Sequence, residues 1–418
     1  MPELNFESAS TLYATHGLHA FAAKCPPPLV RYGLRYYSRR GDTVLDPMAG
    51  SGTTLVEAKL NERNSVGIEI DPLARLVAKV KCNHLRAAAI KAASGRLLNN
   101  VRRDLLALRS RRPPSAVIDR AKLPEFTNRD HWFLPTVATS LALLAHHIEH
   151  LPSVDRRLRD FLWVAFSSTI LSKTSVANAR DIIHSRHHHH THTETPDVIR
   201  RYEDRVALMA KQVAELPQTS TRAVVHKGDA RQLRIEAESV DLVFTSPPYV
   251  TALDYTRAHF LAVPWMRNVL RISLEEYLRL GMSYIGTERG PKPRTFEIDR
   301  RVEDSEILTE ALTQIAADSP YDAKITQRYF LDMKRVLANI ARVLRDRKHA
   351  ILVVCPSHIR RIRVPTHEIL VKLAAATGLR LKQQHVRMIS ERRRILPYMQ
   401  GPLGGRMSTE YVLVFQKR

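Results

Sequence analysis

The stretch Thr43-Val44-Leu45-Asp46-Pro47-Met48-Ala49-Gly50-Ser51-Gly52-Thr53 decides the fold. Residues 43–47 read as a short buried strand that stops at a proline. The glycine-containing turn Ala49-Gly50-Ser51-Gly52 follows, and residues 53–60 then carry a helix-like pattern. A second strand is expected over 65–70, ending in the acidic group Glu69-Ile70-Asp71. Strand, turn, helix and strand at this spacing form a βαβ unit, which implies a parallel sheet with a right-handed crossover.

Outward from this unit, strand signals return at residues 223–226, 242–245, 350–355, 381–389 and 411–416, giving seven strands in all. The last two are expected to pair antiparallel. Between the second and third strands the periodicity is helical, as in 137–151, 158–171 and 198–216. The organisation expected is a cofactor-binding part at 1–82, a helical insertion at 83–220 and a short catalytic part at 221–255. A mixed helix and loop insertion at 256–325 and the C-terminal strands at 326–418 complete it.

The chain has 418 residues, enough for one elaborated or two ordinary domains, and its apolar fraction of 44% is that of a globular protein. Lys and Arg number 65 against 42 Asp and Glu, a net charge of +23 that favours a polyanionic partner. No apolar run is long enough to span a membrane. The first residues lack the basic and apolar regions of a signal peptide, so a cytoplasmic protein is expected. Cys25, Cys82 and Cys355 form neither a disulfide framework nor a CxxC metal pattern.

The glycine turn lies at the carboxyl end of a strand, where α/β sheets bind ligands. ATP on a phosphate loop is disfavoured because the turn has no lysine, and a dinucleotide because Leu55 stands where a third glycine belongs. S-adenosylmethionine fits better. Its carboxylate faces the helix N-terminus behind Gly50 and Gly52, while Asp46 meets the cationic end of the methionine moiety. Glu69 is expected to accept from the ribose hydroxyls, and Asp229, closing another strand, to receive the adenine amine. The ordinary alternatives are helix capping for the two aspartates and a solvated strand end for Glu69.

A second loop follows the strand-like run Asp241-Leu242-Val243-Phe244: Thr245-Ser246-Pro247-Pro248-Tyr249. Neither proline has an N–H, so the loop is rigid and rich in carbonyl acceptors. Tyr249 offers a flat face for a planar heterocycle. These parts suit the exocyclic amine of a nucleobase.

With both loops in hand, the chain resembles the amino-methyltransferases of DNA, most closely those that modify cytosine N4. That family has a DP-x-x-GSGT cofactor loop and a TSPPY catalytic loop, matched here by residues 46–53 and 245–249. His19-Ala20-Phe21-Ala22-Ala23-Lys24-Cys25-Pro26-Pro27 is similar to the family's cofactor-flanking motif. The resemblance implies a class I methyltransferase fold, a Rossmann-like, mostly parallel seven-stranded α/β sheet with helices on both faces. It implies S-adenosylmethionine as cofactor, held by Lys24, Asp46, Pro47, Gly50, Ser51, Gly52, Thr53, Glu69 and Asp229. Ser246, Pro247, Pro248 and Tyr249 are then catalytic. DNA is the implied partner, and a cognate restriction enzyme is a further one that the family admits. The family's glycine-rich turn before the fifth strand is replaced here by Arg345-Asp346-Arg347-Lys348-His349.

The implied chemistry is direct methyl transfer to an amine, with the base flipped out of the duplex. Carbon-5 methylation is disfavoured, since it needs a nucleophilic cysteine, which the family of such enzymes places after a proline, and no Pro-Cys pair occurs here. Within the resembling families, where adenine N6 and RNA enzymes usually carry an acidic or amide residue at this position, Ser246 implies cytosine N4. Arg109, Arg111, Arg112, Arg180, Arg186 and Arg257 are candidates for phosphate contact, with solvated or salt-bridged roles as the alternative. The tract at His187 to His190 is read as solvated loop, and no metal is expected. The rival readings are adenine N6 methylation, a transfer or ribosomal RNA enzyme, and a non-catalytic nucleic-acid-binding module on the same fold.

Overall fold

The apolar segments found in the sequence collect into one sheet. In the computed structural model residues 4, 6, 9–172, 175–177, 194–250, 255–302, 305–389 and 409–418 are described. Among them, β1 (Thr43–Asp46), β2 (Asn64–Glu69), β3 (Ala223–Lys227), β4 (Val240–Thr245) and β5 (Leu344–Val354) run parallel. A separate hairpin, β6 (Ser357–Ile359) and β7 (Ile362–Val364), precedes the last two strands, β8 (Leu379–Met388) and β9 (Thr409–Lys417). The sheet order is β3-β2-β1-β4-β5-β9-β8, with β9 antiparallel to both neighbours. This is the class I methyltransferase fold.

Successive residues of a strand face opposite sides of the sheet, and both sides here are covered. Val44, Leu242, Phe244 and Ile351 pack against Leu29, Val30 and Leu34 of the Pro27–Tyr37 helix. Leu45, Val243, Ala350 and Leu352 share the other core with Tyr329, Phe330 and Leu337 of the Pro320–Val343 helix. At β5 the pairing with β4 jumps from Leu344 to His349, and Arg347 in the intervening bulge takes φ 61°. An arginine thus adopts the left-handed backbone that the expected glycine-rich turn would have provided.

Residues 83–220 contain helices Ala87–Leu108, Pro135–Glu149, Arg156–Leu171 and Val198–Ala214, joined by shorter ones. Their core, with Leu141, Phe161, Trp163 and Tyr202, continues without a break into Leu73, Leu76 and Val77 of the Pro72–Cys82 helix. It continues also into Leu261, Trp265 and Tyr277, so this layer is anchored to the helix that follows β2. Arg180, Arg186 and the histidine tract at 187–190 lie outside the described residues. Among the described residues, no helix is long and apolar enough to cross a membrane.

Candidate active site

The strand order reverses between β1 and β4, and at this switch point the two loops meet. Past β1, Gly52 has φ 82° and abuts the Pro72–Cys82 helix; a Cβ there would stand 2.8 Å from that of Ala78. Glycine is therefore required both for the turn and for the close approach. Glu69, ending β2, fixes the loop: Oε2 accepts from the Gly50 amide at 2.7 Å and Oε1 from the Asp71 amide at 2.8 Å. Each oxygen keeps a further lone pair for a ligand hydroxyl.

Both loops line one cavity, whose wall includes Asp46, Glu69 and Asp229 together with Ser246 and Pro248. Burial pushes the Asp46 carboxyl up to about 6, against the Thr54 and Thr245 hydroxyls and the Met48 amide. Burial and the Asp71 charge push Glu69 up to about 7, against the Asp71 and Gly50 amides. Lys24 also lines the cavity; burial pulls its ammonium down, and Nζ donates to the His16 carbonyl at 3.0 Å. Behind the loop, Ser51 Oγ accepts from the fully buried Lys81 at 3.2 Å.

Among the described residues, Asp46 and Glu69 form no ion pair with a cation, and Lys24 forms none with a carboxylate. An unpaired carboxylate at Asp46, an unpaired ammonium at Lys24 and a hydroxyl-accepting carboxylate at Glu69 are the complement of a ligand with a cationic centre, a carboxylate and a diol. S-adenosylmethionine, with its amino-acid end and its ribose, carries those groups, so the residues present fit it.

Asp229 stands at the cavity but is not free. Burial alone would raise its carboxyl, yet the Arg231 guanidinium holds it below the usual range, bonding to its two oxygens at 2.6 and 2.9 Å. Arg231 in turn reaches Asp332 at 2.9 Å and the Ser283 carbonyl at 2.7 Å. An adenine amine at Asp229 would share a carboxylate already engaged, a constraint that its position in the sequence did not convey.

In the second loop Pro247 is buried and Ser246, Pro248 and Tyr249 are half-buried. The Tyr249 hydroxyl donates to Glu410 and accepts from the Cys355 thiol, both at 3.5 Å. Glu410 is held in a buried ion pair with Arg387. Gly286, at φ 77°, lies under the loop, where a Cβ would come within 2.5 Å of the Tyr249 carbonyl oxygen. Burial pushes the Cys355 and Cys82 thiols up to about 12 and the Cys25 thiol well above its ordinary value. All three are poor nucleophiles at neutral pH.

Phe21, from the segment 19–27 singled out in the sequence, and Tyr255, just past the second loop, line the cavity, stacked at 6.0 Å between centroids; Tyr284, which also lines it, and Tyr277 behind it were missed. Tyr277 and Tyr284 both donate to Asp71 Oδ2, at 2.7 and 2.9 Å, while Oδ1 caps the Pro72–Cys82 helix through the Leu73 and Ala74 amides. Burial would raise Asp71, but His259, Tyr277 and the Ala74 amide hold it down to about 2. The acidic group at the end of β2 was the available signal. Of the six arginines expected at phosphates, Arg109, Arg111 and Arg112 occupy an exposed loop after the Ala87–Leu108 helix, and Arg257 is exposed on the Tyr255–His259 helix.

Comparison with known proteins bears on this geometry. A family model described as DNA methylase, covering the N6 and N4 types, matches residues 4–79. The type II methyltransferase M.MvaI of Kocuria varians is 21% identical over 387 residues, spanning 88% of this chain and 83% of that protein. The type II methyltransferase M.MjaII of Methanocaldococcus jannaschii is 38% identical over 87 residues, 21% of this chain and 16% of that one. Among solved structures, an S-adenosylmethionine-dependent methyltransferase from Methanosarcina mazei aligns with 92% of this chain and 96% of its own at 10% identity, with a TM-score of 0.34. The fold itself follows from the strand order. S-adenosylmethionine is the cofactor. The match at residues 4–79 and the similarity to M.MvaI over most of both chains support a relationship to the DNA amino-methyltransferases.

Proposed function

We propose that the protein methylates the N4 amine of cytosine in duplex DNA by direct transfer, after flipping the base into the cavity. The observation that carries this reading is the single cavity wall shared by Asp46 and Glu69 with Ser246 and Pro248. A cofactor and a base amine bound there meet at the ends of two adjacent strands.

The bound cofactor supplies a methyl group on a positively charged sulfur. The chain does the rest. An aromatic amine is a weak nucleophile because its lone pair is delocalised into the ring. The Pro247 carbonyl and Ser246 accept its hydrogens and localise that pair toward the methyl group. The Tyr249 face sets the plane of the base, and this orientation supplies much of the acceleration. Asp46 and Lys24 hold the charged end of the cofactor, Glu69 its ribose, and the Pro47, Gly50, Ser51, Gly52 and Thr53 loop wraps it. Asp229 takes the adenine amine through what Arg231 leaves open.

DNA is the substrate supported by the net charge of +23 and by the family. Arg109, Arg111, Arg112 and Arg257 then contact phosphates, and the helical layer at 83–220 contributes target reading. A cognate restriction enzyme is the partner this reading adds, since the relatives are named type II methyltransferases. Incubation with labelled cofactor and, in parallel, DNA, transfer RNA or ribosomal RNA tests the substrate class. Label entering DNA alone is expected, and label entering RNA alone would overturn the reading.

A further inference from the structure

The β6–β7 hairpin is built against its own local preference. Its strands pair Ile359 with Ile362, His358 with Arg363 and Ser357 with Val364, leaving a two-residue loop, Arg360-Arg361. Both residues have positive φ, 51° and 67°. Loops of this kind are the type I′ class, where Asn-Gly is favoured because most side chains crowd the left-handed backbone. Arginine at both positions is a poor choice for folding. Strained backbone of this sort concentrates where the side chains have work to do.

The hairpin is also firmly seated. Ile359 and Val364 are buried in the core shared with Leu312, Ile369 and Leu370. The side chains of His358, Arg360, Arg361 and Arg363 face solvent. Arg360 bonds to Asp322 at 2.7 Å, but that pair is half exposed and contributes little in water. Arg361 and Arg363 make no hydrogen bond or ion pair among the described residues. A rigid two-stranded ribbon therefore presents three guanidinium groups outward.

Its position links it to the catalytic loop. The hairpin leaves the carboxyl end of β5, next to β4, and Cys355, two residues before β6, donates its thiol to the Tyr249 hydroxyl. An enzyme that extrudes a base needs the flanking backbone held while the stack is opened. Guanidinium groups match phosphate oxygens in pairs, and a two-stranded ribbon fits a DNA groove.

We propose that the Arg360-Arg361 hairpin grips the phosphate backbone of duplex DNA beside the target base. This rests on the DNA reading above. The strain at its tip is retained because none of the favoured loop residues, Asn, Asp and Gly, carries a positive charge.

The same strain makes the test clean. The double variant Arg360→Asn, Arg361→Gly installs the favoured loop, so its melting temperature should equal or exceed that of the parent. Binding of the full chain, saturated with S-adenosylhomocysteine, is measured to a labelled mixed-sequence duplex across a salt series. The variant should bind roughly tenfold or more weakly at low salt. Its plot of log affinity against log salt should be shallower by about 2, since each of the two arginines neutralises one phosphate. Arg360→Lys, Arg361→Lys should recover the slope. An unchanged slope in the Asn-Gly variant, with the parent binding and methylating DNA, overturns this inference alone. A parent that neither binds nor methylates duplex overturns the DNA reading with it. A slope change seen only with transfer RNA overturns the inference in favour of an RNA surface.

Discussion

Tyr277 and Asp71 lie 206 positions apart and share a hydrogen bond of 2.7 Å. Through it, and through the parallel bond from Tyr284 at 2.9 Å, the segment after the Thr245–Tyr249 loop docks on the carboxyl end of β2. Asp71 thereby caps a helix and anchors the lid side of the cofactor cavity with one carboxylate.

Asp71→Ala removes the cap, worth about 1 kcal/mol, and strands two buried hydroxyls at roughly 1–3 kcal/mol each. A loss of about 3 kcal/mol or more in denaturant unfolding is expected, with weaker cofactor binding. Tyr277→Phe removes the donor to Asp71 and the hydroxyl partner of His259 Nδ1 at 3.2 Å, and should cost roughly 1–3 kcal/mol, less than Asp71→Ala. Equal stability of parent and Asp71→Ala would contradict the anchoring role.

The pH dependence follows from Asp46 and Glu69, whose carboxyls sit at about 6 and about 7 in the folded chain. Both values are raised above those of the unfolded chain, so across roughly pH 4 to 7 the folded state holds more protons. Stability of the cofactor-free protein therefore falls as pH rises through that window. The cationic end of the cofactor binds ionised Asp46 and the ribose hydroxyls donate to ionised Glu69, so its stabilising effect should grow in the same direction. Thermal shifts with saturating S-adenosylmethionine should be larger at about pH 8 than at about pH 5, and Asp46→Asn should flatten the trend. A shift that shrinks with rising pH would contradict it.

Gly286 tests how tightly the catalytic loop is held. Alanine there needs a left-handed backbone and places a methyl group 2.5 Å from the Tyr249 carbonyl oxygen. The loop must move, and displacement by about 1 Å costs roughly 100-fold in rate. Gly286→Ala should lose that much in kcat while cofactor affinity by calorimetry stays near that of the parent. A parent-like kcat would remove Gly286 from the support of the loop.

Much of the site was legible because its chemistry is local. Asp46 to Thr53 and Thr245 to Tyr249 announce themselves by glycines, prolines and strand ends within a few positions. The Asp71 network was not legible, because Tyr277 and Tyr284 reach their partner from over 200 positions away and leave no periodic trace. The insertion of β9 between β5 and β8 is likewise a fact of tertiary pairing. The β6–β7 hairpin escaped for a different reason: Arg360-Arg361 carries none of the Gly, Asn or Asp that marks a turn. Where the sequence broke the local rule, the structure gained an exposed cationic tip.

Ser246 and Tyr249 separate chemistry from binding. Ser246→Ala should lower methyl transfer by about 100-fold or more, and Tyr249→Ala should abolish it, each with cofactor binding intact. Tyr249→Phe keeps the ring and loses only the bonds to Glu410 and Cys355, so most activity should survive. Full activity in Ser246→Ala or Tyr249→Ala would remove that residue from the mechanism.

The central claim is met most directly by the identity of the product. DNA incubated with the enzyme and labelled S-adenosylmethionine is digested to nucleosides, which are separated and identified by mass. Label in N4-methylcytosine is the result this account predicts. Label in N6-methyladenine would contradict the choice of base made from Ser246, and no labelled nucleoside from DNA would contradict the claim that a base amine in DNA is the acceptor.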